Sequence, residues 1–288
     1  MQRRSCLLDH RSVVTSSLVF AAVALVAPRA VWAGPPQSGD DEGAPLTPAP
    51  AAHVSARDLA GSGMFQPGLE PARTAPVPAS ALGVAGFDGA RHTATFSATA
   101  DVALARWLVL RGGVNYRPSE RLTPGDDRSG ARPAVSLRGR VLQQGSAGID
   151  MSVSAGYSQE KLSAEGGMLH IGAAVGRSFD RLSLIGNAAV GGDPEGDDRD
   201  GLLGGAVLYR LVPSLNLGVQ GFFRRDLGST DPRHLARTDG QHDFAVGPAA
   251  TYARDVLVFT VQTGLSGVKG NGTSALGMMA LGGVGAVF

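Results

Sequence analysis

Residues 93–117 read TATFSATADVALARWLVLRGGVNYR, and their alternation decides the fold. Within Thr93–Leu104 one set of alternate positions is Ala94, Phe96, Ala98, Ala100, Val102 and Leu104. The other set is Thr93, Thr95, Ser97, Thr99, Asp101 and Ala103. After a short turn at Ala105–Arg106 the pattern resumes. Leu108, Leu110, Gly112, Val114 and Tyr116 now stand against Val109, Arg111, Gly113, Asn115 and Arg117. Alternate side chains of a strand point to opposite faces, so both segments are predicted as strands with one apolar side and one polar or small side.

The same alternation runs to the end of the chain. It marks Ala134–Gln143, Ile149–Ser158, Met168–Phe179, Arg181–Gly191, Leu202–Leu211, Leu215–Arg224, His242–Tyr252, Val256–Ser266 and Ala275–Phe288. These are long strands. Soluble strands cluster near about 5–6 residues, whereas a tilted strand crossing a bilayer needs about 9–11. The connections alternate as well. Ala105–Arg106, Gln144–Gly148, Asp180, Val212–Ser214 and Ala253–Asp255 are short. Pro118–Pro133, Gln159–Gly167, Gly192–Gly201, Arg225–Gln241 and Gly267–Ser274 are longer and polar. Short turns at one end and long loops at the other are the pattern of a bacterial outer-membrane barrel, with the loops outside the cell. With that direction set, Tyr116, Tyr157, Phe223 and Phe244 fall on the apolar face near the outer ends, and Phe96 lies toward them. Phe179, Tyr209, Tyr252, Phe259 and Phe288 fall on it near the opposite ends. Aromatic girdles at two levels are expected where an apolar face meets lipid. Trp107 lies near the lower rim, and strict alternation assigns it to the face of Arg111.

Eleven such strands are clear in the sequence, yet single-chain bacterial barrels have even numbers. The segment Ala81–Phe87, turning at Asp88-Gly89, supplies a twelfth. The predicted fold is therefore all-β: a transmembrane antiparallel up-and-down barrel over residues 81–288, with twelve strands and ten as the alternative. Composition agrees. Glycine is 41 of 288 residues, about twice the usual share of about 7%. No window of twenty apolar residues lies within the body, because the apolar residues occupy every second position.

Two segments precede the body. Arg3, Arg4 and Arg11, the apolar run Val13–Ala27, and the small residues Val31 and Ala33 read as an export signal over residues 1–33, cleaved after Ala33. This segment carries four arginines, with Arg29, against Asp9, so its removal takes the formal charge from +1 to −2. Residues 34–80 hold nine of the 17 prolines and read as a disordered periplasmic linker or a plug. The single cysteine, Cys6, excludes an intrachain disulfide and a cysteine metal site. Near-neutral charge speaks against nucleic acid as a partner.

The last strand ends in Phe288, and counting back by two gives Ala286, Val284, Gly282, Ala280, Met278 and Leu276. An amphipathic final strand closed by phenylalanine resembles the C-terminal assembly signal of bacterial outer-membrane β-barrel proteins. That resemblance is to the class and to no subfamily. It implies the outer membrane as location, its lipid as surroundings, and the barrel-assembly machinery as a partner that reads Phe288, Ala286 and Val284.

The polar faces carry the candidate functional groups: Asp101, Arg111, Arg138, Arg140, Asp150, Arg210 and Arg224, with Asn115, His170, Asn187, Gln220 and Asp243. Small residues between them leave space, so the lumen could hold water, and the arginine excess would favour anions. Arg138 and Arg140, with Arg111 on the neighbouring strand, are the expected constriction. The leading function is a passive pore or channel for small solutes; the alternative is a structural or surface-interaction barrel whose charges pair and close the lumen. An autotransporter-like translocator is a minor alternative. An outer-membrane lipid hydrolase is another, for which His170, His242, Asp243 and Ser158 are at hand, but no motif joins them. No catalytic residue and no cofactor is assigned. The acidic loop Asp193–Asp200 lacks the ligand spacing of a calcium loop, and no metal site is assigned.

Overall fold

The computed structural model describes residues 79–105, 107–117, 130–159, 167–194, 199–228, 241–270 and 273–288. The export-signal segment, residues 1–33, lies outside them, as does the proline-rich segment 34–80 except for its last two residues, Ala79 and Ser80, which belong to the first strand. Twelve strands follow in order: β1 (Ala79–Asp88), β2 (Thr93–Ala105), β3 (Leu108–Arg117), β4 (Gly130–Leu142), β5 (Asp150–Ser158), β6 (Met168–Phe179), β7 (Leu182–Gly192), β8 (Arg199–Val212), β9 (Leu215–Asp226), β10 (His242–Arg254), β11 (Leu257–Gly270) and β12 (Thr273–Val287). A one-turn helix, α1 (Gln144–Ala147), joins β4 to β5. Each strand pairs antiparallel with its sequence neighbours, and β1 pairs with β12, so the sheet closes into a barrel. Closure leaves no edge. In a bilayer that is obligatory, since an unpaired backbone N–H or C=O finds no water there.

The weakly patterned twelfth segment is a full strand. β1 runs Ala79–Asp88 and bridges β2 and β12 along its whole length, with Ser80 opposite both Asp101 and Val287. The loop expected at Gly267–Ser274 is mostly strand: Lys269 pairs with Ser274 and Gly270 with Thr273. Glycine, serine and lysine read as loop because they show no apolar alternation, yet backbone pairing needs none. For the same reason β4 starts at Gly130, β8 at Arg199, and β9 runs on to Asp226.

The strands tilt. Paired residues lead from Ser80 through Asp101, Arg111, Ser136, Gly156, His170, Gly191 and Asp200 to Asp226. That row starts at the turn end of the barrel, where the connections are short. It finishes at the loop end, where they are long. Three register shifts, at Ala103/Ala105, Arg140/Leu142 and Arg210/Val212, all sit at the turn end, where a bulge tightens the strand into its hairpin.

Side chains divide as the alternation predicts. Val102, Leu104, Val135, Leu137, Ile171, Val190, Leu203, Val219, Val261, Leu276 and Met278 are exposed on the outer surface. The girdles are there too. Phe179, Tyr209, Tyr252, Phe259 and Phe288 are exposed near the turn end, and Phe223 near the loop end, joined by Phe87. Tyr252 and Phe259 sit ring against ring at 6.5 Å, as do Phe96 and Tyr116 at 6.2 Å. Trp107 precedes β3, in the turn, where pleating does not bind it, and it is exposed.

Candidate functional site

Every carboxylate on the described strands faces the barrel interior: Asp88, Asp101, Asp150, Asp200, Asp226 and Asp243. A charge facing hydrocarbon costs kilocalories, so the alternation that sends apolar residues out sends these in. Two ion-pair clusters result, one toward each end.

The cluster toward the turn end centres on Asp101. Arg111, directly opposite on β3, donates from Nε to Oδ1 at 2.7 Å and from Nη2 to Oδ2 at 2.9 Å, a two-pronged contact. Arg138, from β4, adds Nη2 to Oδ2 at 3.1 Å. Arg138 is 1% exposed, among the most deeply buried side chains of the barrel. The expected partnership of Arg138 with Arg140 thus divides. Arg138 joins Arg111 on Asp101, while Arg140, one inward position nearer the turn end, is half-buried with no ion pair among the described residues. Arg210 on β8 is likewise half-buried near the turn end, with no ion pair among the described residues. Asp150 serves the fold. Its Oδ1 accepts the backbone N–H of Gln144 at 2.9 Å and holds α1. The Gln144 side chain in turn exchanges two hydrogen bonds with the backbone of Ser178, at 2.6 and 2.8 Å, and docks the helix against β6.

The second cluster lies at the loop end, and the alternation points to only part of it. Arg224 on β9 holds Asp243 on β10 by Nε to Oδ1 at 3.1 Å and Nη2 to Oδ2 at 2.8 Å. Arg91 is the addition. It stands in the β1–β2 turn and bonds both Asp88, at 2.7 Å, and Asp243. Asp88 also accepts from Ser266 Oγ at 2.7 Å and from the backbone N–H of Ala90 at 3.0 Å. Ala90 and Arg91 are 3% and 4% exposed. The turn is therefore folded inward against β10, β11 and β12. A Cβ on Gly277 would overlap the backbone of Gly89 and Ala90, so glycine is needed where the turn crosses β12.

Between the clusters lies a cavity of about 440 Å³. Its wall is the half of the barrel rich in small residues: Thr95, Ser97 and Thr99 on β2, Gly113 on β3, Ser136 on β4, Ser152 and Ser154 on β5, and Gly172 on β6. Arg111, Arg138 and Asn187 lie at its turn-side end, and Arg117, His170, Asp200 and Arg224 higher up. Asn187 is buried, and among the described residues neither its amide oxygen nor its amide nitrogen has a hydrogen-bond partner. Across from this wall the interior is filled. Gln220 and Gln262 are hydrogen-bonded to each other, and Thr251, Val258 and Leu208 are fully buried. Arg140, Asp150 and Arg210 do not line the cavity.

Of the residues available for hydrolysis, Ser158 and His170 both line the cavity, while His242 and Asp243 are divided by the wall. His242 and Asp243 are consecutive on β10, so His242 points outward beside the Phe223 ring, at 5.7 Å, and Asp243 points inward. They cannot act on one substrate as a pair.

No family model matches the sequence, and no curated protein matches it. Solved structures do. A NanC porin is 11% identical, with a TM-score of 0.50, and the alignment covers 72% of this chain and 98% of that one. A KdgM porin is 13% identical over 73% and 99% of the two chains, with a TM-score of 0.48. An outer membrane channel from Pseudomonas putida F1 is 14% identical over 76% and 100%, with a TM-score of 0.49. At such identity the likeness to the NanC porin concerns the fold alone. The closed ring of twelve strands, the exposed apolar belt, its aromatic girdles and the inward charges are those of a β-barrel of the bacterial outer-membrane class, set in the outer membrane.

Proposed function

We propose that the barrel is a passive pore for small polar solutes. The observation that carries this reading is the cavity inside the closed barrel, whose wall sets hydroxyls of β2, β4 and β5 and the guanidinium groups of Arg111, Arg117, Arg138 and Arg224 among apolar side chains such as Val84, Met168 and Leu202. Its described lining offers hydroxyl, amide and guanidinium groups, with His170 and Asp200, and an enclosed space of this kind suits a small solute in transit. The Asp101 carboxylate offsets one of the two charges of Arg111 and Arg138, which it holds in ion pairs. Arg140 and Arg210, with no ion pair among the described residues, add inward positive charge at the turn end. We place the anion preference at these two, below the cavity, where the guanidinium groups are less buried than that of Arg138.

A second reading has an observation of its own. Thr251, Val258, Leu208 and Ala253 are fully buried in the interior toward the turn end, as in a barrel that serves as a wall or platform. Purified protein in planar bilayers separates the two. Discrete conductance steps support the pore; a barrel with heat-modifiable migration on gels and no conductance at any applied voltage supports the platform.

A further inference from the structure

At the loop end, acid and base are sorted across the wall. On β8 to β11 the carboxylates Asp200, Asp226 and Asp243 face in. The outward positions of the same stretch carry Arg199, Arg225, His242 and Lys269. Arg225 is the direct partner of His242, and His242 of Lys269, so one row of paired residues spans β9, β10 and β11. Neighbouring strands lie about 4.8 Å apart, which puts the Arg225 and Lys269 stems about 10 Å apart. Arg199 stands one outward position beyond Gly201, the partner of Arg225 on β8. Arg199, Arg225 and Lys269 are exposed.

The remaining loop-end rim is different. Its outward strand residues include Phe87, Ala94, Tyr116, Ala131, Tyr157, Leu169, Gly192 and Ser274, none of them charged. The cationic row sits immediately beyond Phe223 and Phe244, the aromatic level of the same strands. Aromatic residues of this kind mark the boundary of hydrocarbon and headgroups. Cations one step beyond them stand at headgroup height, where guanidinium and ammonium groups attract phosphate.

We infer that the outer rim of β8 to β11 is a docking surface for a phosphate-bearing lipid headgroup, held by Arg225 and Lys269 with Arg199 beside them. The inference rests on the loop end facing the outside of the cell, and it does not depend on conduction. A headgroup with two phosphates fits the spacing, one phosphate to each end of the row. The inward carboxylates stand on the other side of the wall from the row, and Asp243 is held by Arg224 and Arg91.

The test uses the full protein in detergent, titrated with bis-phosphorylated lipid A or with its phosphate-free counterpart and read by native mass spectrometry. The wild type is expected to bind the phosphorylated lipid and to lose it with rising salt. Each of R225S and K269S should weaken binding about fivefold, following the usual contribution of one cation at an anionic lipid surface. The pair R225K with K269R should restore it, and R254S, at the other end of β10, should leave it unchanged. Heat-modifiable migration and unaltered conductance of each variant keep this test separate from the pore. Equal binding of phosphate-free lipid, or equal binding by R225S/K269S, overturns the site. Competition by free pyrophosphate at the same concentration as lipid overturns the assignment to lipid.

Discussion

Arg91, in the turn between the first two strands, is ion-paired to Asp243 on β10, reaching past β12 and β11 to do so. Asp243 is 1% exposed and is held from its other side by Arg224. The contact lashes the first hairpin to β10 and sets the turn inside the wall at the loop end.

Replacing Arg91 by alanine should free that turn. Asp243 keeps Arg224 and Asp88 keeps Ser266, so the stability loss should be moderate, about 1.5–3 kcal/mol for charged hydrogen bonds. In bilayers R91A should show a larger conductance, or longer openings, than the wild type. Unchanged conductance would place the turn outside the solute path.

Asp101 faces two arginines, and its loss is of another order. D101N leaves Arg111 and Arg138 buried without their carboxylate, which should cost about 3–5 kcal/mol. Urea unfolding in detergent, followed by loss of the heat-modifiable form, measures it. Arg111→Met with Asp101→Asn still deprives Arg138 of that carboxylate, so the double variant should recover only part of the loss.

Arg140 and Arg210 should govern selectivity without governing stability. Neither has an ion pair to lose among the described residues, so R140E and R210E should change stability by about 1 kcal/mol or less. The reversal potential in a KCl gradient should move toward cation preference for each. If only D101N moves it, the selective step lies at the buried cluster instead.

Glycine positions give a test that is independent of transport. Gly264 has φ +155, and a Cβ there would overlap the carbonyl oxygen of Val246. G264A should cost about 1–3 kcal/mol. Gly282 faces outward with open space around it, and G282A should be neutral. The contrast is read in one denaturation series.

The strands are legible because bilayer and lumen impose opposite demands on neighbouring residues, and Thr93–Leu104 displays both. Girdle residues follow from the same alternation once direction is set by loop length. What stays hidden is partnership. Asp88 and Arg91 lie three apart in a turn, and nothing local announces that Arg91 pairs with Asp243, 152 residues away. Arg138 and Arg140 look alike, since both face in. Only the register of β3, which sets Arg111 opposite Asp101 and Arg138 opposite Val109, decides which arginine the carboxylate takes. The strand ends past the apolar zone escape the pattern because there the backbone alone holds the pairing.

The seam that closes the barrel joins Ser80 to Val287. First and last strands are mutual neighbours, so the ring cannot shut while the final strand is still being made or exported. Neither β1 nor β12 has both of its partners until the two meet, so the edgeless wall that a bilayer requires comes from one long-range pairing between the two ends of the sheet.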